Sequence, residues 1–392
     1  MTNVQRHSPD TVRIGIIGGG LMGREIASAF ARWCTFEEPG LPTPVLTAVA
    51  DLNPETLSWF NRIPTAKLLT SDYQRLLASP DVDVVYVAVP HNLHLQIYND
   101  VIEAGKDLLA EKPFGIDLNA ASNIVKTIRS AAGDHSGHGG TFVRCSSEFP
   151  FFPAAQKVVE TAHNGTLGRV LEVNAGFHHA SDLDPNKPAN WKRLSQTCGE
   201  IGVMGDLGMH VMHVPLHLGW NPKSVYAQLQ KGYPTPPGPG DSFIPCDTWD
   251  NATLNTWTSI DSHDVPMRLE MKRLAPGATD TWWIEVLGTG SGVRFSTAEP
   301  KSLYVFDRGN PHGQAWSRID LGFTPPYKTI TGGIFEFGFP DAIQQMWAAF
   351  LLERAGQLHN RFGCVTPTQA LDSHKLFNAA LESQATNTVV KI

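Results

Sequence analysis

Glu111-Lys112-Pro113 ends an apolar run, Asp107 to Pro113, with the composition of a buried strand. Open α/β sheets bind their ligands outside the carboxyl ends of the strands. Lys112 therefore stands where a substrate hydroxyl could meet a redox cofactor, and an ammonium there can hold or move the hydroxyl proton. The same tripeptide also has a plain explanation: a strand-end lysine held in solvent by its neighbouring glutamate, with proline stopping the strand. A second group lies farther on. Asp206 and His210 stand at i and i+4, so a helix would place them on one face. A neutral histidine, titrating near about 6.5, is suited to accept a hydroxyl proton around neutrality. A third group is Gly18-Gly-Gly20-Leu21-Met22-Gly23, which matches GxGxxG. Here Gly18 permits the tight turn, Gly20 lets backbone amides approach a pyrophosphate, and Gly23 allows close helix–strand packing. The anion then rests at a helix N-terminus.

These groups need elements to position them. Residues 12 to 18 (VRIGIIG) read as a buried strand, and the glycine turn follows it and opens a helix over 22–33, the context that GxGxxG requires. A second strand over 45–51 ends in Asp51, which is placed to accept hydrogen bonds from the adenosine ribose and to repel a 2′-phosphate. Asp51 comes 28 residues after Gly23, and a Pro/Gly-rich insert, EEPGLPTP, accounts for the excess over the usual spacing. With neutral Leu52 and Asn53 after it, Asp51 favours NAD over NADP, although Arg24 or Arg62 could fold back. Strands over 83–90, 107–113 and 141–147 alternate with helices over 94–105 and 117–132, the latter capped by Asp117. That alternation means βαβ units and a parallel sheet. GDHSGHGG (133–140) reads as a flexible break. A helix over 153–162, a strand over 168–177, an irregular polar stretch over 181–200 and a helix over 205–219 come next. From 224 to about 321, alternating runs separated by Pro/Gly/Asp turns predict a large antiparallel sheet. Helices over 341–357 and 368–384 close the chain. The fold class is therefore α/β: an N-terminal Rossmann domain over 1–148, and a C-terminal α/β domain over 149–392 with a large, open, mostly antiparallel sheet. The last helices are free to pack back on the first domain.

The 392 residues suffice for two or three domains, and the formal net charge is −7 with no long run of one sign. Nucleic acid and anionic membranes are poor partners for such a chain. No apolar stretch approaches the roughly 20 residues needed to span a bilayer, and MTNVQRHSPD lacks an apolar signal core. Cysteines at 34, 145, 198, 246 and 364 form no CxxC pair, so a reduced, cytoplasmic protein without a cysteine–zinc site is expected.

Taken in order, five motifs resemble the Gfo/Idh/MocA oxidoreductases. They are the GGGLMG turn, Ala50-Asp51, Pro90-His-Asn-Leu-His94, Ala110-Glu-Lys-Pro-Phe114, and Gly199-Glu-Ile-Gly-Val-Met-Gly-Asp206-Leu-Gly-Met-His210. The resemblance covers nearly the whole chain. It implies a Rossmann domain joined to a C-terminal domain whose open sheet mediates a homodimer or homotetramer. It also implies that Lys112, Asp206 and His210 form the catalytic group. His210 would take the hydroxyl proton while hydride passes to nicotinamide, Lys112 would bond the same oxygen, and Asp206 would orient and tune the pair. The cofactor set it implies is Gly18, Gly20, Leu21, Met22, Gly23, Asp51, Pro90, His91, His94, Glu111 and Lys112, with a Lys112–Pro113 bond that is cis in the family.

The chain also departs from the family. Asp206, His210, His213 and His217 recur at helical spacing, which would suit a metal, but no second cluster converges on them and a redox cofactor needs none. Packed or supporting roles are expected for His213 and His217, and no metal. Many relatives have asparagine and arginine where Glu148 and Pro150 stand, so Glu148 is either a ligand for sugar hydroxyls or a solvated strand end. The stretch HHASDLDPNKPANWKRLSQ offers His179, the flat face of Trp191, and Lys192 and Arg193, a pair able to hold an anionic substituent or simply a solvated basic pair. Trp282 and Trp283 read as core or oligomer interface. The expected substrate set is Lys112, Glu148, His179, Trp191, Lys192, Arg193, Asp206 and His210. The expected function is NAD-dependent oxidation of a secondary hydroxyl of a sugar, cyclic polyol or glycoside. One alternative is an NAD-dependent glycoside hydrolase working by transient oxidation and elimination, on an anionic glycoside if Lys192 and Arg193 bind charge. The other is an NAD-sensing binding protein, which would have no use for a proton relay.

Overall fold

Buried apolar runs alternating with helices give the first sheet its parallel strands: β1 (Thr11–Ile17), β2 (Thr43–Ala50), β3 (Leu68–Thr70), β4 (Val84–Val87), β5 (Asp107–Ala110) and β6 (Val143–Cys145). In this computed structural model, residues 11–131, 140–232, 244, 246–311 and 313–392 are described. Residues 133–139 of the expected glycine-rich break lie outside them. The strand order is β3-β2-β1-β4-β5-β6, every neighbouring pair parallel. Its direction reverses between β1 and β4, and that switch point opens the ligand crevice. The crossovers are α1 (Leu21–Ala31), α2 (Pro54–Trp59), α3 (Tyr73–Leu77), α4 (His94–Glu103) and α5 (Leu118–Ala131). Asn53 caps α2 by accepting the Glu55 amide at 2.9 Å, and Asp117 accepts the Ala120 amide at 2.7 Å. The EEPGLPTP insert is tied down by ion pairs from Glu37 to Lys328 and from Glu38 to Arg361. Strand β3 was not expected; at three residues it shows no period of its own.

The second part begins with α6 (Pro153–His163), β7 (Val170–His178), α7 (Ser195–Cys198) and α8 (Val203–His217). An antiparallel succession follows: β8 (Pro222–Gln230), β9 (Asn251–Ile260), β10 (His263–Lys272), β11 (Thr281–Gly288), β12 (Ser291–Ser296), β13 (Ser302–Asp307) and β14 (Trp316–Asp320). Helices α9 (Phe339–Arg354) and α10 (Pro367–Thr386) and the short β15 (Val390–Lys391) end the chain. The sheet runs β14-β13-β12-β11-β7-β10-β9-β8-β15, antiparallel except where β7 lies parallel to β10. Period-two alternation decides the faces. Ala252, Leu254, Thr256 and Thr258 of β9 are buried, while Asn255 and Trp257 between them are exposed. Likewise Trp282 is buried against the helices and Trp283 sits on the opposite, open face.

Helix α8 lies on the covered face against β7, β10 and β11, and every residue from Val203 to Leu216 is buried. Its polar residues must therefore be partnered, because an unpaired buried polar group is costly. Helix α9 packs on α1 and α10 packs on α5 as well as α8, so the last two helices touch both sheets' layers. Among the described residues, no helix is long and apolar enough to cross a membrane.

Candidate active site

The glycine turn leaves β1 with Gly18 at φ 93°, where a Cβ would sit 2.1 Å from the Ala88 carbonyl oxygen. A Cβ on Gly23 would stand 2.4 Å from the Gly18 oxygen, so α1 can lie this close to the turn only with glycine there. At Gly20 a Cβ would meet nothing within 4 Å, so this backbone faces open space. Helix α1 starts there without a side-chain cap and without an acidic residue in its first turn. Its uncapped amides and positive end suit an anion. Asp51 stands where β2 ends; its carboxylate accepts the Gly19 amide at 2.7 Å and the Asn53 amide at 2.8 Å. It thus borders the turn with lone pairs remaining, and these residues fit a bound dinucleotide.

A cleft of about 520 Å³ runs from this turn to α8, within the roughly 300–1,000 Å³ of small-molecule sites. Gly20, Leu21, Met22, Pro90, His91 and Lys112 line its cofactor side. Glu148, His179, Trp191, Lys192, Asp206 and His210 line the other side. Most of the residues singled out in the sequence therefore converge.

Asp206 is the junction. Lys112, 94 residues away in sequence, donates through Nζ to the Asp206 carbonyl at 2.6 Å and to Oδ1 at 3.0 Å. Lys192 Nζ bonds both carboxylate oxygens, at 2.8 and 3.1 Å, and the Arg273 guanidinium lies 3.6 Å from Oδ2. Burial alone would push the Asp206 carboxyl up, but Lys192, Lys112 and Arg273 together hold it well below its usual range. Burial likewise works against the Lys112 ammonium, and the Asp206 and Glu111 carboxylates outweigh it and keep that group above its ordinary value. Lys112 is a charged donor at neutral pH, not a base.

His210 is oriented by other residues. Its Nδ1 lies 3.3 Å from Ser147 Oγ and 3.9 Å from Glu148 Oε2. The rings of Phe149 and Phe177 pack edge-on at 5.2 and 5.5 Å, and Trp282 Nε1 bonds the His210 carbonyl at 2.9 Å. Asp206 was expected to orient both Lys112 and His210; of these two, only Lys112 is hydrogen-bonded to it. Burial, reinforced by Lys112, holds the His210 imidazole well below its ordinary value, so it is neutral at pH 7. Glu148 is no solvated strand end: it is 5 % exposed. Burial, and then the Glu111 charge, push its carboxyl up to about 8. Glu148 is therefore mostly protonated at neutrality.

Four residues have partners that the sequence did not reveal. His94 lies fully buried, Nδ1 2.8 Å from the Pro113 carbonyl and Nε2 3.0 Å from that of Val89; it braces the strand ends and does not face the cleft. The Glu111 carboxylate is spent on the hydroxyls of Tyr86 and Ser146, both at 2.6 Å, so it supports the floor of the site. Arg193 is buried and does not line the cleft; it is paired with Asp250 at 2.8 Å and Asp182 at 3.4 Å. Lys192 is committed to Asp206. The two cations expected to hold an anionic substituent are thus both engaged in ion pairs within the fold. The Lys112–Pro113 bond is cis. His213 is buried with Nε2 3.2 Å from the Gly363 carbonyl, and His217 packs on Phe362. Among the described residues, no three His, Cys, Asp or Glu side chains converge as metal ligands.

Arg273, Ser147, Phe149, Phe177 and Asp280 were missed. For Arg273 a signal exists: Met267, Leu269 and Met271 of β10 are the inward residues, and Arg273 continues their phase just past the strand. An arginine on the buried phase demands an acidic partner. Ser147 and Asp280 carry no comparable local signal.

Comparisons with known proteins agree with this fold. Residues 12–133 match the oxidoreductase family with an NAD-binding Rossmann fold, GFO/IDH/MocA, and residues 155–294 match the GFO/IDH/MocA C-terminal domain. Levoglucosan dehydrogenase of Pseudarthrobacter phenanthrenivorans is 30% identical over 232 residues, 58% of this chain and 56% of that protein. A glycosyl hydrolase family 109 protein of Saccharopolyspora erythraea is 26% identical over 245 residues, 59% of this chain and 48% of that one. The matched stretch spans about half the length of these curated relatives. The solved structure of a levoglucosan dehydrogenase in complex with NADH and levoglucosan superposes with a TM-score of 0.86 at 23% identity, covering 97% of this chain and 99% of the other, a likeness of fold.

Proposed function

This chain belongs to the Gfo/Idh/MocA oxidoreductase family, with an NAD-binding Rossmann domain, and we propose that it oxidises a secondary hydroxyl of a sugar, cyclic polyol or glycoside. The observation that carries this reading is the charged Lys112, pinned on Asp206, and a neutral His210 lining the same cleft as the glycine turn.

The substrate carbinol lies between Lys112 and His210. Lys112 donates a hydrogen bond to its oxygen and favours alkoxide character as the O–H weakens. With its own hydrogen on Nδ1 toward Ser147, His210 offers Nε2 as the base that takes the hydroxyl proton. Bound NAD supplies the acceptor for the carbinol C–H hydrogen and its electron pair. The oxygen's electrons close the carbonyl, and the proton leaves His210 for solvent, so the balance is alcohol plus NAD to ketone, NADH and one proton. Asp206 keeps Lys112 charged and aimed. Phe149 and Phe177 keep water from the imidazole. Asp51 suits the ribose hydroxyls of NAD and disfavours a 2′-phosphate. Copies of the chain would pair through the open face carrying Trp257 and Trp283, which light scattering would check.

The test is a panel of sugars, polyols and glycosides with NAD, followed at the NADH absorbance band. NADH formed in step with a keto-sugar supports the reading; tight NAD binding without turnover on any member overturns it. A second reading draws on Glu148. Its protonated carboxyl lines the same cleft and could give a proton to a glycosidic leaving oxygen, as transient oxidation and elimination would need. The glycosyl hydrolase family 109 relative is consistent with this. Free aglycone without net NADH would favour it. An anionic glycoside is no longer the preferred substrate, because Lys192 and Arg193 are both paired.

A further inference from the structure

The cleft has a second lobe. Beyond the chamber that holds Lys112 and His210, a cavity of about 380 Å³ opens outward. The two share one wall, formed by His179, Trp191, Lys192, Asp206 and Asp280. The outer lobe adds Ser181, Asp182, Lys187 and Asn190 and has no aliphatic residue in its lining. It is a place for a hydroxyl-rich group with one aromatic contact.

Its charge argues for a neutral ligand. Lys187 is paired with Asp182 at 2.8 Å, and Lys192 with Asp206 at the same distance. Both lysines are held in ion pairs, so a phosphate, sulfonate or carboxylate would have to compete with Asp182 and Asp206 for them. Asp280 adds a carboxylate at the junction of the lobes. Its backbone is in the left-handed region at φ 43°, and its carbonyl is held by Thr297 Oγ1 at 2.9 Å. The acceptor is thus mounted on a fixed backbone. A carboxylate, a histidine, a serine hydroxyl and an indole around one space match the alternating hydroxyl and C–H surfaces of a sugar ring.

We propose that the outer lobe is a second sugar subsite, so that the preferred substrates are neutral two-ring glycosides. The ring oxidised at Lys112 and His210 occupies the inner chamber, and the ring linked to it lies between Trp191 and Asp280. This rests on the dehydrogenase reading and narrows its substrate class.

The test is calorimetric titration of the NADH complex with matched pairs of probes: glucose against cellobiose and maltose, and galactose against lactose. At least one two-ring probe binds ten-fold or more tightly than its one-ring partner. Ser181 is exposed and lines only the outer lobe, so Ser181→Trp fills that lobe from a surface position. It erases the two-ring advantage and leaves one-ring affinity within two-fold. Asp280→Gly keeps the left-handed backbone available and lowers two-ring affinity several-fold. Absence of a two-ring advantage in every wild-type pair overturns the subsite, as does an equal loss for both ring numbers in Ser181→Trp. Binding on the NADH complex needs no turnover, so the two readings fail separately. NADH formation from one-ring sugars without a two-ring advantage sinks the subsite alone. A two-ring advantage in binding, with no NADH formed from any probe and NAD, sinks the dehydrogenase alone.

Discussion

Replacing Glu148 with glutamine should stabilise the protein, and by an amount that depends on pH. An ordinary glutamate titrates near 4.5, and Glu148 near 8. Below pH 4.5 the folded and unfolded chains both carry the proton, and the shift costs nothing. Above it the unfolded chain releases the proton while the fold keeps it, and each further pH unit costs the fold about 1.36 kcal/mol. At pH 7 the cost is about 3 kcal/mol, and it levels off near about 5 kcal/mol above pH 8. Glu148→Gln keeps the neutral shape at every pH and escapes that cost. With an unfolding entropy of about 2.1 cal/mol/K per residue, a chain of 392 residues loses roughly 0.8 kcal/mol per degree near its midpoint. The variant's midpoint should therefore lie about 4 °C above wild type at pH 7 and within about 1 °C at pH 5. Thermal unfolding of both proteins without cofactor, from pH 5 to 9, measures this. Equal differences at pH 5 and pH 8, or a destabilised variant at pH 7, would refute the assignment of a neutral, buried carboxyl beside Glu111.

Lys112→Ala and His210→Ala should each lower kcat by about 10²–10⁴-fold while NAD affinity, read by calorimetry, stays within a few-fold; wild-type turnover in either removes it from the catalytic group. Because burial and Lys112 hold the His210 imidazole below its ordinary value, kcat/KM for oxidation should not fall between pH 7.5 and 6.5. An inflection near pH 8 should instead follow Glu148 and vanish in Glu148→Gln. Arg273→Met strips a buried cation from Asp206 and should destabilise the fold by about 3–5 kcal/mol, seen as a lower unfolding midpoint; an unchanged midpoint would mean the guanidinium is not compensating that carboxylate. Asp51→Ala should weaken NAD at least ten-fold and spare NADP more; identical affinities for NAD in variant and wild type would detach Asp51 from the ribose.

What the sequence determined by itself was local. A 3.6-residue period placed Asp206 and His210 on one helix face, and glycine spacing after an isoleucine-rich strand located the tight turn that opens α1. A count of residues across the EEPGLPTP insert then placed Asp51 at the end of the second strand, beside that turn. Strand alternation also carried clues left unread, one separating Trp282 from Trp283 and one placing Arg273 on the buried phase. The tertiary structure decided charge and direction. Lys192 and Arg193 are neighbours in one short 3₁₀ turn, yet one reaches Asp206 in the cleft and the other Asp250 behind it. Glu148 is held mostly neutral first by burial and then by the charge of Glu111, 37 residues earlier, and β7 lies between β10 and β11 although many residues separate them in the chain. Periodicity depends on backbone geometry within a few residues and is written in the chain. Desolvation and ion pairing depend on whatever comes within a few ångströms, and here distant segments supply it.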